Sequence, residues 1–69
     1  QAESAALGWA LKSLVAARRL SRGSTLTAEM LLAKRPGGGI EPSRLPDVLG
    51  RALRRDLEAD EALTWSDLE

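Results

Sequence analysis

The sequence contains no cysteine and no histidine. These two absences exclude a disulfide framework, a thiol nucleophile, an imidazole base and the ordinary zinc sites. It also lacks phenylalanine and tyrosine, and its only aromatic side chains are Trp9 and Trp65. Aliphatic residues must therefore build nearly all of the core. Net charge is absent too, because ten Lys and Arg oppose ten Asp and Glu. No apolar run approaches the roughly 18 residues that would cross a bilayer, since Gly8, Lys12 and Ser13 interrupt the stretch from Ser4 to Ala17. No basic leader precedes that stretch, so it does not read as a signal peptide. The expectation is a soluble, cytoplasmic domain, which the missing cysteine suits. At 69 residues the chain is one small domain. Such a domain buries about 60% of its unfolded surface and gains about 3–5 kcal/mol from its core, too little for an independent enzyme to be expected. Gln1 opens the chain and Met30 is its only methionine, which reads as a piece excised from something longer.

The charge that is present divides sharply. Residues 1–55 hold all ten basic side chains against Glu3, Glu29, Glu41 and Asp47, a net +6, whereas residues 56–69 hold six acids and no base, a net −6. Two readings follow. The acidic segment folds back over the basic body, or the body keeps a basic face for an anionic partner. Arg outnumbers Lys eight to two, which suits planar recognition of carboxylate, phosphate or amide oxygens.

Along the chain, Ala2 to Leu11 reads as a helix end or interdomain linker. The short apolar run Leu14-Val15-Ala16-Ala17 stops at the turn signal Ser21-Arg22-Gly23-Ser24 and reads as a strand. In Leu26-Thr27-Ala28-Glu29-Met30-Leu31, the Thr27 hydroxyl is expected to accept a hydrogen bond from the N–H of Glu29 or Met30 and cap one helical turn. Leu32 to Arg35 is expected to be extended at its end, because Pro36 disfavours the helical conformation for Arg35. Gly37-Gly38-Gly39 is a loop. Ser43 is expected to cap a turn through Leu45, Val48 and Leu49 that Gly50 ends. Arg51 to Leu57 favours helix on propensity, but an internal echo argues otherwise. A shift of 37 residues places Arg18 on Arg55, Leu20 on Leu57, Leu26 on Leu63, Thr27 on Thr64 and Leu31 on Leu68. These are turn-flanking and capping positions, as a duplicated supersecondary unit would keep. In the second copy Asp67 follows the cap Thr64 by three residues, a favourable place for a carboxylate.

Ser13-Leu14-Val15-Ala16-Ala17, Arg22-Gly23, Leu26-Thr27 and above all Lys34-Arg35-Pro36-Gly37-Gly38-Gly39-Ile40-Glu41-Pro42 resemble the C-terminal antifreeze-like (SAF) domain of the sialic acid synthases. Val48-Leu49-Gly50-Arg51, Asp56-Leu57, Asp60-Glu61 and Leu63-Thr64-Trp65 continue the likeness to the end of the chain. The resemblance implies a mainly β chain with short helical turns, the β-clip fold of type III antifreeze proteins, with internal pseudo-two-fold symmetry. It divides the chain into residues 1–12, a linker from a missing N-terminal barrel domain, and residues 13–69, the antifreeze-like domain. It further implies a parent enzyme that condenses phosphoenolpyruvate with an N-acyl amino sugar such as N-acetylmannosamine. The divalent metal, manganese or magnesium, belongs to that barrel, and neither a catalytic residue nor a cofactor is expected in this domain. The parent is expected to be a domain-swapped homodimer in which this domain is a lid over the partner subunit's barrel. There Arg35 would hydrogen-bond the sugar's N-acyl carbonyl, with Pro36, Gly37 and Gly39 supporting the loop.

The residues themselves agree with that role. A guanidinium beside Pro36 and three glycines stands on a stiff projecting edge and offers a fork of donors. Lys34 would point to the opposite face and reads as a solvated charge, while Ile40 is expected to pack. Three glycines alone resemble a phosphate-binding loop only weakly, because no Lys-Ser/Thr and helix follow. Three other functions compete with this role. Nucleic-acid binding would use Arg44, Arg51 and Arg55 on one helical face, against a neutral total and no aromatic stacking platform. Ice binding is opposed by 29% charged residues. A stand-alone carbohydrate-binding module of the same superfamily is the remaining alternative.

Overall fold

β1 (Ser13–Ala16) is buried along its whole length, which explains why its sequence is continuously apolar after Ser13 instead of alternating. It is flanked on both edges. On one side it pairs antiparallel with β2 (Leu31–Lys34), in the register Ser13↔Lys34 to Ala16↔Leu31. On the other it meets residues 61–63, through the Val15↔Ala62 bridge and the bonds Ala16 N–H to Glu61 O at 3.0 Å and Leu63 N–H to Leu14 O at 2.8 Å. β2 is the edge strand, buried only at Leu31, with Leu32, Ala33 and Lys34 exposed. The coordinates are a computed structural model that describes residues 12–35 and 37–69. Of the expected linker, residues 1–12, all but Lys12 lies outside the described residues, as does the loop residue Pro36.

The 37-residue echo is a structural duplication. Leu20 and Leu57 exchange backbone hydrogen bonds of 2.8 and 2.9 Å, as two residues that face each other across a two-fold axis do. Around them the connections recur under the same shift. The Val15↔Ala62 bridge returns as Thr25↔Ala52, and the Ala16↔Leu31 pair returns as Leu53↔Leu68. The 3-10 turn Ala28–Met30 returns as Trp65–Asp67, and the positive-φ turn residue Gly23 (φ 88°) returns as Asp60 (φ 67°). Arg51 to Leu57 is consequently not helical: Ala52, Leu53 and Leu57 sit in bridges. This pairing outweighs the helix propensity of Ala, Leu and Arg, and it removes the shared helical face on which Arg51 and Arg55 would have met nucleic acid.

The core lies between the two copies and is aliphatic. Leu26, Ile40, Val48, Leu53, Leu57 and Leu63 are essentially inaccessible, whereas Trp65 is 48% exposed. Leu14, Ile40 and Leu63 close a ring of three backbone hydrogen bonds, each 2.8 Å: Leu14 N–H to Ile40 O, Ile40 N–H to Leu63 O and Leu63 N–H to Leu14 O. This ring leaves no room at the preceding glycine. A Cβ on Gly39 would lie 2.5 Å from the Leu63 carbonyl oxygen and 3.2 Å from the Ala62 Cβ. The obstacle is mostly backbone, so Gly39→Ala is expected to lower stability by about 1–3 kcal/mol, read as a fall in the urea midpoint.

Two caps differ from expectation. Thr27 precedes its 3-10 turn in extended conformation, but its hydroxyl makes no cap; Met30 N–H instead donates to the Thr27 carbonyl at 3.1 Å. The hydroxyl oxygen is buried without a partner among the described residues, since Met30 at the third turn position offers no acceptor. Ser43 lies inside a 3-10 turn, Pro42–Arg44, that runs directly into the single helical turn α1 (Leu45–Val48). Pro42 and Pro46 preset the backbone at both starts, so the chain turns two residues earlier than a Ser43 cap requires. Gly50, at φ 88°, ends the turn as expected.

Candidate functional site

Arg35 is the first residue beyond the β1–β2 ladder, and it is exposed. The strand stops at Lys34 and the chain bends at Arg35. The loop that follows is short and fixed at both ends. Before it, Lys34 pairs with Ser13 in the ladder, and its ammonium reaches Asp60 Oδ1 at 2.6 Å. After it, Gly39 is pressed against Leu63 and Ile40 is 2% exposed. Residues 60–63 of the second copy contribute to both anchors, so one half of the duplication helps to seat the loop carried by the other. Gly38 takes the positive-φ position in that loop (φ 126°), while Gly39 is the close approach.

The acidic segment does fold onto the basic body. Arg19 contacts Asp56 at 3.1 Å and Glu58 at 3.4 Å, Lys34 contacts Asp60, and Arg55 contacts Glu61 at 2.9 Å and Asp67 at 2.7 Å. Lys34 is therefore ion-paired, contrary to its expected role as a solvated charge. Asp60 sits across from it in a turn whose N–H is held by Ala16 O at 2.8 Å.

A family model described as the SAF domain matches residues 12–69. The chain belongs to the SAF domain family. A curated relative, an uncharacterized protein of Methanocaldococcus jannaschii, is 39% identical over 59 residues, 86% of this chain and 18% of its own. The N,N'-diacetyllegionaminic acid synthase of Legionella pneumophila is 34% identical over 58 residues, 84% of this chain and 16% of its own. This SAF domain thus spans less than a fifth of the length of either curated relative. Among solved structures, the antifreeze-protein-like domain from the human N-acetylneuraminic acid phosphate synthase gene superposes with a TM-score of 0.82 at 22% identity, covering 88% of this chain and 78% of that one. A spore coat polysaccharide biosynthesis protein E from Chromobacterium violaceum, described as putative, superposes with a TM-score of 0.78 at 22% identity, covering all of this chain and 21% of that one. The mainly β, pseudo-symmetric antifreeze-like fold is the one that the sequence resemblance implies.

The most strongly tied ionic group of this SAF domain is at the second cap. Asp67 is buried, and its carboxylate accepts from Thr64 N–H at 2.9 Å, from the Thr64 hydroxyl at 3.0 Å and from Arg55 Nε at 2.7 Å. Burial opposes its ionisation, but those three donors outweigh burial and hold its pKa below the ordinary value of 3.8. Glu61 is lowered first by Arg55 and then by the Glu58 N–H, and Asp56 first by the Arg22 N–H. The same contacts, Glu61 first and Asp67 second, raise Arg55 further above its usual range. Groups with depressed folded pKa values contribute stability that is complete above their unfolded values and is lost as pH falls through the folded ones. With no histidine in the chain, the melting temperature is expected to be flat near neutrality and to fall below about pH 4. A thermal scan at stepped pH checks this.

Sequence reading missed Asp60. Its signal was available in the echo, which places Asp60 on Gly23: an Asp in a turn position that the first copy fills with Gly is a candidate for left-handed backbone. It also missed that Arg51 stacks over the exposed Trp65, 5.9 Å from the ring centroid, a contact between residues 14 apart in sequence that no local pattern encodes.

Proposed function

We propose that this SAF domain is the lid and dimerisation domain of a synthase that condenses phosphoenolpyruvate with an N-acyl amino sugar. In this reading it does no chemistry of its own and covers the barrel of the partner subunit in a homodimer. Arg35 donates from its guanidinium to the carbonyl oxygen of the sugar's N-acyl group. N-acetylmannosamine represents the substrate class. The observation that carries the reading is the position of Arg35, exposed at the end of an edge strand and borne by a loop anchored at both ends, in a chain 34% identical to a legionaminic acid synthase. A donor fork held in that way positions a substrate without moving a proton, and positioning lowers the barrier by removing the freedom of the reacting groups.

Among the described residues, no group of three or more Asp and Glu side chains converges to hold a metal ion. In this reading the divalent metal of the reaction belongs to the barrel, and no step here runs through it. The reading also takes the parent to be cytoplasmic. The test is direct: the 69-residue chain, incubated with phosphoenolpyruvate, an N-acyl amino sugar and manganese, is expected to give no condensation product. Turnover by this chain would end the proposal.

A further inference from the structure

Asp60 is the only non-glycine residue with positive φ among the described residues, at 67°. The left-handed region is disfavoured for any residue with a Cβ, although Asp tolerates it better than most. The duplication supplies an internal control, because the equivalent turn in the first copy is built with Gly23 at φ 88°. The backbone role is also the same in both copies: Gly23 N–H donates to Leu53 O and Asp60 N–H to Ala16 O, each at 2.8 Å. The turn therefore does not need an aspartate. What Asp60 adds is a carboxylate, and that carboxylate holds the Lys34 ammonium at 2.6 Å.

The pair is solvent-exposed, with side chains 48% and 63% accessible, so it adds little to stability. Its effect is on geometry. Lys34 is the last residue of β2 with a ladder partner, and the chain bends at the next residue, Arg35. Holding the Lys34 side chain against Asp60 adds a tie to the second copy at the strand end from which Arg35 departs. Outliers of this kind gather where a surrounding structure over-determines a site.

We infer that Asp60 is a positioning residue: through Lys34 it sets the direction in which Arg35 is presented. The consequence for catalysis rests on the proposed role of Arg35 toward the sugar. Asp60→Gly is the informative variant, since it removes the whole side chain, carboxylate included, and restores the residue used in the first copy. Its melting temperature should be unchanged or higher. In the isolated chain, the heteronuclear NOE of the Arg35 amide should fall while that of Ile40 holds. In the full-length protein, the amino sugar KM should rise about fivefold with kcat and the phosphoenolpyruvate KM little changed. Lys34→Ala should behave alike, the double variant should be no worse than either single one, and Lys34→Arg should restore near-normal sugar KM. An unchanged Arg35 NOE in Asp60→Gly overturns the inference. So does an unchanged sugar KM in Asp60→Gly when Arg35→Ala raises it. If Asp60→Gly loosens Arg35 but Arg35→Ala leaves sugar kinetics untouched, the positioning stands and the proposed role of Arg35 fails.

Discussion

Asp67→Ala is expected to cost about 2–3 kcal/mol, the largest stability loss among the single substitutions considered. The side chain is buried and accepts from the Thr64 N–H, the Thr64 hydroxyl and Arg55. A cap of this kind is worth about 1 kcal/mol, and a hydrogen bond to a charged group about 1.5–3 kcal/mol. The contributions overlap because they share one carboxylate, so they do not sum in full. For a domain whose core supplies about 3–5 kcal/mol, the loss approaches the whole margin. Arg55→Ala should cost less, since its side chain is 48% accessible and water replaces part of what it loses. Asp67→Asn should fall between, keeping an acceptor for Thr64 and losing the charge opposite Arg55. Urea denaturation of the three variants at neutral pH gives the order, and equal losses for Asp67→Ala and Arg55→Ala would contradict it.

The contrast between Asp67 and Met30 also explains how far the sequence could be read. The repeat was legible because five identities kept one spacing, and the structure places them in matching bridges and turns around the Leu20–Leu57 pair. β1, the break at Gly50 and the packing of Ile40 followed from local patterns, apolar run, glycine and loop boundary. The Thr27 hydroxyl makes no cap, whereas the Thr64 hydroxyl and N–H of the second copy both donate to Asp67. The difference lies three residues on, where Met30 stands in place of Asp67, and a cap depends on both ends. The split charge left two readings open, and the structure takes the first, with the acidic segment laid on the basic body. The individual pairs were not legible. Lys34 meets Asp60 and Arg19 meets Glu58 across 26 and 39 residues, distances at which spacing carries no information and only the fold decides. Arg35 was singled out by the likeness of the Lys34-to-Pro42 string to the synthase domains, whereas the anchoring of its loop on residues 60–63 required the tertiary structure.

Arg35→Ala in the full-length protein is the second large effect. A guanidinium donating to a neutral carbonyl is a hydrogen bond to a charged group, worth about 1.5–3 kcal/mol, which is about 10–150-fold in an equilibrium or rate ratio. Arg35 is exposed at the end of the edge strand, so its removal leaves the core intact and the melting temperature within about 4 °C. The deficit should therefore appear in substrate use and not in folding. Arg35→Lys should recover only part of it, because an ammonium offers a point charge in place of a planar fork. The deciding measurement is the steady-state kinetics of Arg35→Ala with each substrate varied in turn. The account predicts a specificity constant for the amino sugar lowered about tenfold or more, with the phosphoenolpyruvate KM within about twofold of the parent. An unchanged specificity constant for the sugar would remove Arg35 from the site and contradict the proposed function of this domain.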